Sequence, residues 1–318
     1  VMMRSRIRDG VWPTMVTPFT DGGRIDAAAL AAMVAWYVAR GVDGLFAVCQ
    51  SSEMFHLSLT ERVALARQVV SLVDGRAEVI ASGQIADSHE AQVDEVLRIS
   101  DTGVDAVVLV TNRFAEEGDS VDVWKRNVER LLRAVPEEVS LGFYECPHPY
   151  KRVLSPEMLS WCASTGRFIF LKDTCCDLQL IREKLAAAGS IKLYNANAAT
   201  LLGSLQSGAA GYSGVMGNFH PELYGWLCRN WDVAPARAAQ LQAFLGVSSA
   251  LEARAYPVCA KYYLQLEGLP LTLETRARPK SDLLDSHRHE MAQLQTLTAL
   301  YAEAHGVTAP APLDPSRT

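Results

Sequence analysis

Residues 167–177 read Arg-Phe-Ile-Phe-Leu-Lys-Asp-Thr-Cys-Cys-Asp, a short apolar run that ends in Lys172 and a polar turn. The run is typical of a buried strand bounded by a turn. Burial disfavours the charged form of a lysine and lowers its pKa, so that a free amine becomes available to attack a carbonyl carbon. A lysine at the end of a strand can equally point into solvent or pair with the next residue, Asp173. The rest of the chain has to decide between a reactive lysine and an ordinary one.

Seven further apolar runs share this strand pattern and alternate with amphipathic segments. Strands are predicted near residues 12–16, 44–48, 78–82, 106–110, 139–144, 168–171, 191–194 and 211–213. Helices are predicted over residues 27–40, 59–72, 89–102, 121–134, 156–164, 178–188 and 198–206. Strands that alternate with helices in this way predict an α/β fold whose parallel sheet closes as a (β/α)8 TIM barrel. An open doubly wound sheet is the alternative, and the lack of G-x-G-x-x-G after the first strand counts against its dinucleotide-binding form.

The chain is predicted to have three parts. A catalytic barrel is expected over residues 1–220. Residues 221–308 are expected to form a C-terminal helical region packed on the barrel, because the pattern there is helical and contains no new strand. Residues 309–318 begin with Ala-Pro-Ala-Pro and are predicted to form a loose tail.

Composition narrows the functional classes. Hydrophobic residues make up 49% of the 318 residues and charged residues 21%, which is enough for a large core. The net charge of −6 gives no reason to expect a nucleic-acid partner. The seven cysteines form no C-x-x-C pair, and no apolar stretch suits a signal sequence or a membrane span. We therefore expect a cytoplasmic protein with no membrane partner.

Tyr144 ends the predicted fifth strand, next to the strand that ends in Lys172. Neighbouring strands lie about 4.8 Å apart, and active sites of α/β barrels sit at the carboxyl ends of the strands. A lysine and a phenol at neighbouring strand ends suit Schiff-base chemistry, in which the lysine forms the imine and the phenol moves protons to and from the substrate oxygen. The alternative is a tyrosine that only caps a core strand.

Two further strand ends carry groups that suit substrate binding. The second strand ends in Cys-Gln-Ser-Ser-Glu at 49–53, and small hydroxyl and backbone N–H groups at such a turn can bind a carboxylate. A serine-rich helix N-cap has the same composition and remains the alternative. The last strand runs into Ser213 and Gly214, where glycine permits close approach of the backbone to a ligand. Histidine and acidic residues show no metal-binding spacing, so we expect no metal site.

Four of these segments, in the same order along the chain, resemble motifs of the family of dihydrodipicolinate synthase and N-acetylneuraminate lyase, the pyruvate-type class I aldolases. Residues 49–53 (CQSSE) loosely match the carboxylate-binding turn G-[ST]-T-G-E, and residues 144–147 (YECP) match Y-x-x-P. Residues 172–177 (KDTCCD) match K-[DE]-x-x-x-D, and residues 208–211 (GAAG) match G-A-x-G. The likeness covers most of the chain.

The resemblance implies roles for particular residues. It makes Lys172 the imine-forming lysine and Tyr144 the proton shuttle, with no cofactor beyond the covalent imine. It also implies that Ser51 and Ser52 hold the carboxylate of a 2-oxo acid. Family members are usually homotetramers made of paired dimers, so a dimer of dimers is the assembly that the resemblance implies here.

The chain departs from the family at positions that set specificity. The carboxylate-binding turn has lost both glycines, at Cys49 and Ser52, which predicts a narrower and more polar pocket. The arginine that follows the tyrosine motif in the synthase is replaced by Pro149, and the second relay tyrosine of the synthase falls at Thr111. The acidic residues of the sialic acid lyase after the seventh strand are replaced by the uncharged residues 194–198. The chain thus resembles the core chemistry of the family and neither of its two best-known specificities.

Gln50, Thr111 and Asn197 are the candidates for contacts with the rest of the substrate, and Ser213 and Gly214 for the far wall of the pocket. The resulting hypothesis is a lyase that cleaves a hydroxylated 2-oxo acid to pyruvate and an aldehyde, or condenses the two. Dehydration of a 2-oxo-3-deoxy sugar acid and a condensation like that of dihydrodipicolinate synthase use the same imine and stay open as alternatives. A noncatalytic ligand-binding or regulatory barrel and a metal-dependent lyase are the alternatives from other classes.

Overall fold

The computed structural model describes residues 7–308, and these residues form a barrel of parallel strands. The strands are β1 (Gly10–Val11), β2 (Gly44–Val48), β3 (Glu78–Ser82), β4 (Ala106–Val110), β5 (Leu141–Tyr144), β6 (Phe168–Asp173), β7 (Lys192–Asn195) and β8 (Gly211–Tyr212). Each strand from β2 to β7 pairs in parallel with the next, and β8 pairs with β1. A parallel bridge between Thr14 and Phe46 links the β1 side to β2, so the barrel is nearly closed. The predicted (β/α)8 TIM barrel is confirmed.

Helices separate the strands and continue beyond them. Those between strands are α1 (Ala27–Ala39), α2 (Leu59–Val73), α3 (His89–Ser100), α4 (Val121–Ala134), α5 (Pro156–Ser164), α6 (Leu178–Ala187) and α7 (Leu201–Gln206). After β8 come α8 (Pro221–Asn230), α9 (Pro235–Ser248), α10 (Val258–Leu266) and α11 (Asp285–Ala304). Helix α8 packs against β1 and β8 and so completes the ring around the barrel, and α9 to α11 form the C-terminal extension. Between residues 7 and 308, no helix is both long and apolar enough to cross a lipid bilayer.

The boundary of the first strand differs from its prediction, and the predicted tail falls outside the structure. The apolar run at 12–16 predicts a strand there, whereas β1 covers Gly10–Val11. The backbone N–H of Trp12 still donates to the carbonyl of Tyr212 (2.8 Å). Contact with β2 continues beyond β1, because the carbonyl of Pro13 accepts from the N–H of Phe46 (3.0 Å) and the N–H of Met15 donates to the carbonyl of Phe46 (3.1 Å). The tail predicted at 309–318 lies outside the described residues.

An aromatic cluster fills the barrel below the ends of the strands. Trp12, Phe46, Phe170 and Tyr194 are fully buried. The rings of Phe170 and Tyr194 stack at 4.6 Å, and the indole of Trp12 lies 5.7 Å from each of them. Gly44 makes room for this indole, because a Cβ atom there would lie 2.3 Å from it. The packed interior forms a solid floor, so within the described part of the barrel the space for a ligand lies above this floor, at the carboxyl ends of the strands.

Glu53 ties the C-terminal region to the end of β2. Its backbone is left-handed, with φ of 63°. Its carboxylate accepts hydrogen bonds from the backbone N–H groups of Arg276 (2.5 Å) and Ala277 (2.7 Å), and the Nζ atom of Lys261 lies 3.5 Å away. Glu53 and Lys261 are both buried. A buried charge with all its partners in place rigidifies the elements that it joins, so part of the C-terminal region is held over the strand ends.

Candidate active site

A cavity of about 440 Å³ opens at the carboxyl ends of the strands. Lys172 and Tyr144 line it from β6 and β5, and Gln50 and Ser51 line it from the turn after β2. The C-terminal region contributes Glu252 and other side chains to the opposite wall. The volume is typical of a small-molecule site, and the location is where α/β barrels carry their chemistry.

Lys172 is a buried amine at the base of the cavity. Its residue is 4% exposed, and it pairs in register with Tyr144 on one side and Tyr194 on the other. Its Nζ atom lies 4.5 Å from the centre of the Tyr144 ring and 5.9 Å from that of Phe46. Among the described residues it forms no ion pair. Burial lowers the pKa of Lys172, which raises the fraction of neutral, nucleophilic amine.

Asp173 does not pair with Lys172, because it points to the other side of the strand. Consecutive side chains of a strand alternate between faces, and Asp173 meets Lys184 of α6, whose Nζ lies 2.6 Å from the Asp173 carboxylate. The same Nζ lies 2.6 Å from the carboxylate of Glu145, the residue after Tyr144. All three side chains are fully buried. This cluster, called the Lys184 clamp below, holds together the two strand ends that carry the lysine and the phenol.

Charge balance within the Lys184 clamp favours the ionised lysine. Burial alone would lower the pKa of Lys184, but the carboxylates of Glu145 and Asp173 outweigh burial and raise it. Burial and the neighbouring carboxylate raise the pKa of Glu145, against the opposing effect of Lys184. Glu145 also accepts hydrogen bonds from the backbone N–H groups of Leu154 and Thr174, both at 2.9 Å. Each charged group of the clamp therefore has hydrogen-bond partners, as a buried charge requires.

Tyr144 presents a neutral phenol to the cavity. Its hydroxyl donates to Oε1 of Gln50 at 3.4 Å, and its ring packs edge-on against Phe46 at 5.7 Å. Burial raises the pKa of Tyr144 well above its usual range, and the nearby Cys146 thiol adds to the effect. A phenol in this state can donate a proton or a hydrogen bond to a substrate oxygen, but it is a poor base at neutral pH.

Of the two serines in the turn after β2, Ser51 lines the cavity, whereas the hydroxyl of Ser52 forms hydrogen bonds within the turn. Ser51 lines the cavity, and its hydroxyl donates to Oγ1 of Thr14 at 3.0 Å. Ser52 is buried, and its hydroxyl both accepts from the N–H and donates to the carbonyl of Cys49, each at 2.7 Å. The Ser52 side chain thus closes the turn in place of a contact with a ligand. Gln50 is exposed to the cavity and also lies 3.5 Å from the thiol of Cys146.

The wall after β7 and β8 brings Asn197 and Gly214 to the cavity. A side chain at Gly214 is excluded, because its Cβ atom would lie 2.4 Å from the hydroxyl of Tyr212. Asn197 uses its amide oxygen to cap the following turn, where it accepts from the N–H of Thr200 at 3.0 Å. Ser213 is buried behind this wall, and its hydroxyl finds no hydrogen-bond partner in the described part of the chain.

Thr111 lies apart from the cavity. Its hydroxyl donates to the carbonyl of Arg152 at 2.7 Å, and it lies 3.4 Å from the carbonyl of Tyr144. The neighbouring Asn112 binds the loop after β5 through the carbonyls of Cys146 and His148, each at 2.9 Å. These hydrogen bonds hold the loop after β5 over Thr111. Thr111 therefore contacts the site through the backbone of Tyr144.

Some cavity residues are not marked by any sequence pattern, among them Lys151, Glu252 and Tyr256. Lys151 lines the cavity and donates to the carbonyl of Thr174 at 2.8 Å. Glu252 and Tyr256 come from the C-terminal region, more than 70 residues after Lys172 in the chain. Neither lies at a strand end or in a motif, so no local signal marks them. In residues 7–308, no group of three or more His, Cys, Asp or Glu side chains is arranged to hold a metal ion.

The chain is similar, in sequence and in fold, to proteins of one family. The sequence profile of the Dihydrodipicolinate synthetase family matches residues 8–297. The 4-hydroxy-tetrahydrodipicolinate synthase of Acidithiobacillus ferrooxidans is 27% identical over 290 residues, covering 88% of this chain and 95% of that protein. The fold is similar to that of dihydrodipicolinate synthase from Bacillus anthracis (TM-score 0.82, 23% identity, 92% and 99% of the two chains). It is also similar to YagE, an E. coli K12 prophage protein of the same family solved with pyruvate (TM-score 0.79, 23% identity, 94% and 99%).

Proposed function

The chain belongs to the dihydrodipicolinate synthetase family, and from this premise we propose that it is a Schiff-base-forming lyase that cleaves a hydroxylated 2-oxo acid to pyruvate and an aldehyde. The observation that carries the proposal is the environment of Lys172. Its amine is buried, has no carboxylate partner among the described residues, and faces both a phenol and an open cavity. A lysine in this environment suits attack on a carbonyl carbon.

The proposed reaction begins when the neutral amine of Lys172 attacks the ketone carbon, C2, of the 2-oxo acid. One proton of the amine passes to the C2 oxygen and Tyr144 donates a second, so that the oxygen leaves as water and the nitrogen forms a protonated imine with C2. The C4 hydroxyl loses its proton to a base, the imine draws electrons from the bond between C3 and C4, and this bond breaks to give an aldehyde and an enamine. Protonation of the enamine at C3 and hydrolysis of the imine release pyruvate. In the reverse direction the same steps condense pyruvate with the aldehyde.

Substrate binding is proposed to use the turn after β2 and the wall after β8. Ser51 would bind the carboxylate through its hydroxyl and Ser52 through the backbone, since the Ser52 hydroxyl is engaged within the turn. Gly214 keeps the far wall clear of a side chain, with Ser213 behind it. Gln50 and Asn197 are exposed to the rest of the substrate. Thr111 is proposed to act through the backbone of Tyr144, which its hydroxyl approaches.

Borohydride trapping with pyruvate tests the proposal. We expect a reduced adduct on the peptide that contains Lys172, detected by mass spectrometry, and no adduct in Lys172→Ala. Lys151→Ala is the matched control, because it removes another lysine that lines the cavity, and its adduct at Lys172 should persist. An adduct only with longer 2-oxo acids would identify a different 2-oxo acid substrate. The absence of any adduct, or full turnover by Lys172→Ala, would contradict the imine and favour a noncatalytic barrel.

The partners are proposed to be a 2-oxo acid and an aldehyde, and the assembly a cytoplasmic homotetramer built as a dimer of dimers. The family membership supports both statements. Large apolar side chains remain exposed on the extension, among them Val247 on α9 and Leu297 and Leu300 on α11, and such residues suit subunit contacts. Light scattering coupled to size-exclusion chromatography should give four times the chain mass of 34.8 kDa, and a monomer mass would contradict the assembly.

A further inference from the structure

Glu252 brings a carboxylate into the cavity from outside the barrel. It lies on a short 3-10 turn, Ser249–Ala253, between α9 and α10. This turn packs against the turn after β8, Val215–Asn218. Its side chain lines the cavity together with Lys172. The mechanism described so far gives it no role.

The carboxylate of Glu252 has no hydrogen-bond or ion-pair partner among residues 7–308, in contrast to that of Glu53. Both side chains line the cavity. The carboxylate of Glu53 is occupied by two backbone N–H groups and by Lys261. Glu252 forms no hydrogen bond or ion pair through its carboxylate with any of residues 7–308. A partly buried carboxylate without a partner carries an energetic penalty, and at a cavity wall it is available to a ligand.

The titratable groups near enough to Glu252 to respond to its charge come from four elements. The charge of Glu252 affects the pKa values of Lys172 on β6, Tyr212 on β8, Tyr224 on α8 and Cys259 on α10. Burial raises the pKa of Glu252 to about 7, and the charge of Lys172 works against this rise. Tyr144 stands on β5, on one side of Lys172, whereas Glu252 lies above the β8 side. An imine at Lys172 would therefore have a phenol on one flank and a carboxylate on the other.

The phenol and the carboxylate differ in the proton transfers that they can perform. The chemistry at C2 needs a proton donor, and the neutral phenol of Tyr144 is one. The chemistry at C3 and C4 needs a proton acceptor, and the carboxylate of Glu252, which lines the same cavity and has no partner among residues 7–308, is one. We propose that Glu252 is the catalytic base that acts at C3 and at the C4 hydroxyl of the substrate held as an imine on Lys172. This inference rests on the proposed lyase function.

Glu252 takes a proton from the substrate in one step and returns it in the next. The Glu252 carboxylate takes the proton of the C4 hydroxyl, and the electron pair of that O–H bond becomes the second bond of the C4 carbonyl. The bond between C3 and C4 breaks, its electron pair forms the double bond between C2 and C3, and the iminium electron pair moves to the nitrogen of Lys172. The aldehyde departs. The protonated Glu252 then delivers its proton to C3, which regenerates the carboxylate and leaves the imine of pyruvate.

Deuterium exchange into pyruvate tests Glu252 without knowledge of the aldehyde. With pyruvate alone, the same base removes and returns a proton at C3, so the wild-type protein in deuterium oxide should exchange the pyruvate methyl protons, measured by NMR. We expect Glu252→Gln to slow this exchange by about 100-fold or more, the usual contribution of a general base. Borohydride trapping of pyruvate at Lys172 should persist in the variant. Glu303→Gln, which alters an exposed glutamate of α11, is the matched control and should behave as wild type.

The outcomes separate this inference from the proposed function. Retained trapping with slowed exchange supports the role of Glu252, as does a rise of the exchange rate with pH near neutrality, at saturating pyruvate, that disappears in Glu252→Gln. Retained trapping with unchanged exchange overturns it. Loss of trapping in Glu252→Gln alone also overturns it, because the residue would then act before or during imine formation. Absence of trapping in the wild type, with pyruvate and with longer 2-oxo acids alike, overturns the lyase function itself.

Discussion

Glu252→Gln is expected to stabilise the protein at alkaline pH and to leave its stability near pH 4.5 almost unchanged. The pKa of Glu252 is raised by burial from 4.5 to about 7 in the folded protein. At about 1.4 kcal/mol per pH unit, this difference corresponds to about 3 kcal/mol of folding free energy that ionisation of Glu252 removes. Glutamine has nearly the same shape and does not ionise, so the variant avoids that loss.

The pH window follows from the two pKa values. Below about pH 4.5 the glutamate is protonated in both the folded and the unfolded chain, and its ionisation does not affect stability. Between pH 4.5 and 7 the unfolded chain ionises first, so the wild type loses stability progressively, and above pH 7 the loss is complete. The advantage of the variant should therefore be greater by about 3 kcal/mol at pH 8 than at pH 4.5.

Urea unfolding at pH 4.5 and pH 8, followed by tryptophan fluorescence at a fixed protein concentration, measures this difference. Any effect of the amide that does not depend on pH cancels between the two conditions. Glu303→Gln should show no such difference, because Glu303 is exposed. An equal effect of Glu252→Gln at both pH values would refute the reasoning, since it would mean that burial does not hold back the ionisation of this carboxylate. A stabilised variant that has lost proton exchange would be the trade-off expected of a catalytic group.

Three further predictions test other parts of the structure. Lys184→Met should lower the free energy of unfolding by about 3–5 kcal/mol at pH 8, because it leaves the buried carboxylates of Glu145 and Asp173 without a cation. Adding Glu145→Gln and Asp173→Asn should recover most of this loss, measured by urea unfolding. No recovery would contradict the stabilising role of the Lys184 clamp. Gly44→Ala should lower the free energy of unfolding by about 1–3 kcal/mol through overpacking against the facing indole. Gly118→Ala, whose added Cβ atom meets open space, should lower it less. Equal losses in the two variants would contradict the packing argument. Dialysis against a chelator should leave borohydride trapping unchanged, because imine chemistry needs no metal, and loss of trapping would favour a metal-dependent lyase.

The barrel could be predicted because each strand is a short apolar run between polar turns. The run that ends in Lys172 is an example, since it became β6 with the lysine at its carboxyl end. Tyr144 could be placed beside it because adjacent parallel strands end at the same edge, and the structure pairs the two residues in register. The end of β1 could not be predicted in this way, because an apolar run does not show where pairing with the neighbouring strand stops.

The remaining features of the site depend on contacts between distant parts of the chain. Lys184 lies in an amphipathic helix, where the sequence pattern predicts that a lysine side chain is exposed to solvent. In the structure this side chain is buried between two carboxylates. The Ser52 hydroxyl has the composition of a ligand contact but bonds to its own turn. Glu252 belongs to a helical stretch with no motif, and only the packing of the C-terminal region against the β8 turn brings it to Lys172. Local sequence patterns do not encode these contacts.

The tie between Glu53 and the backbone of residues 276–277 has a consequence for synthesis on the ribosome. A further 105 positions separate Lys172 from Ala277, so translation at about 5–20 residues per second adds roughly 5–20 s between them. Until those residues emerge, one wall of the cavity is missing and the amine of Lys172 lacks part of the burial that lowers its pKa. We therefore expect the amine of Lys172 to remain closer to an ordinary protonated lysine in the nascent chain, and to reach its lowered pKa only when the protein is nearly complete.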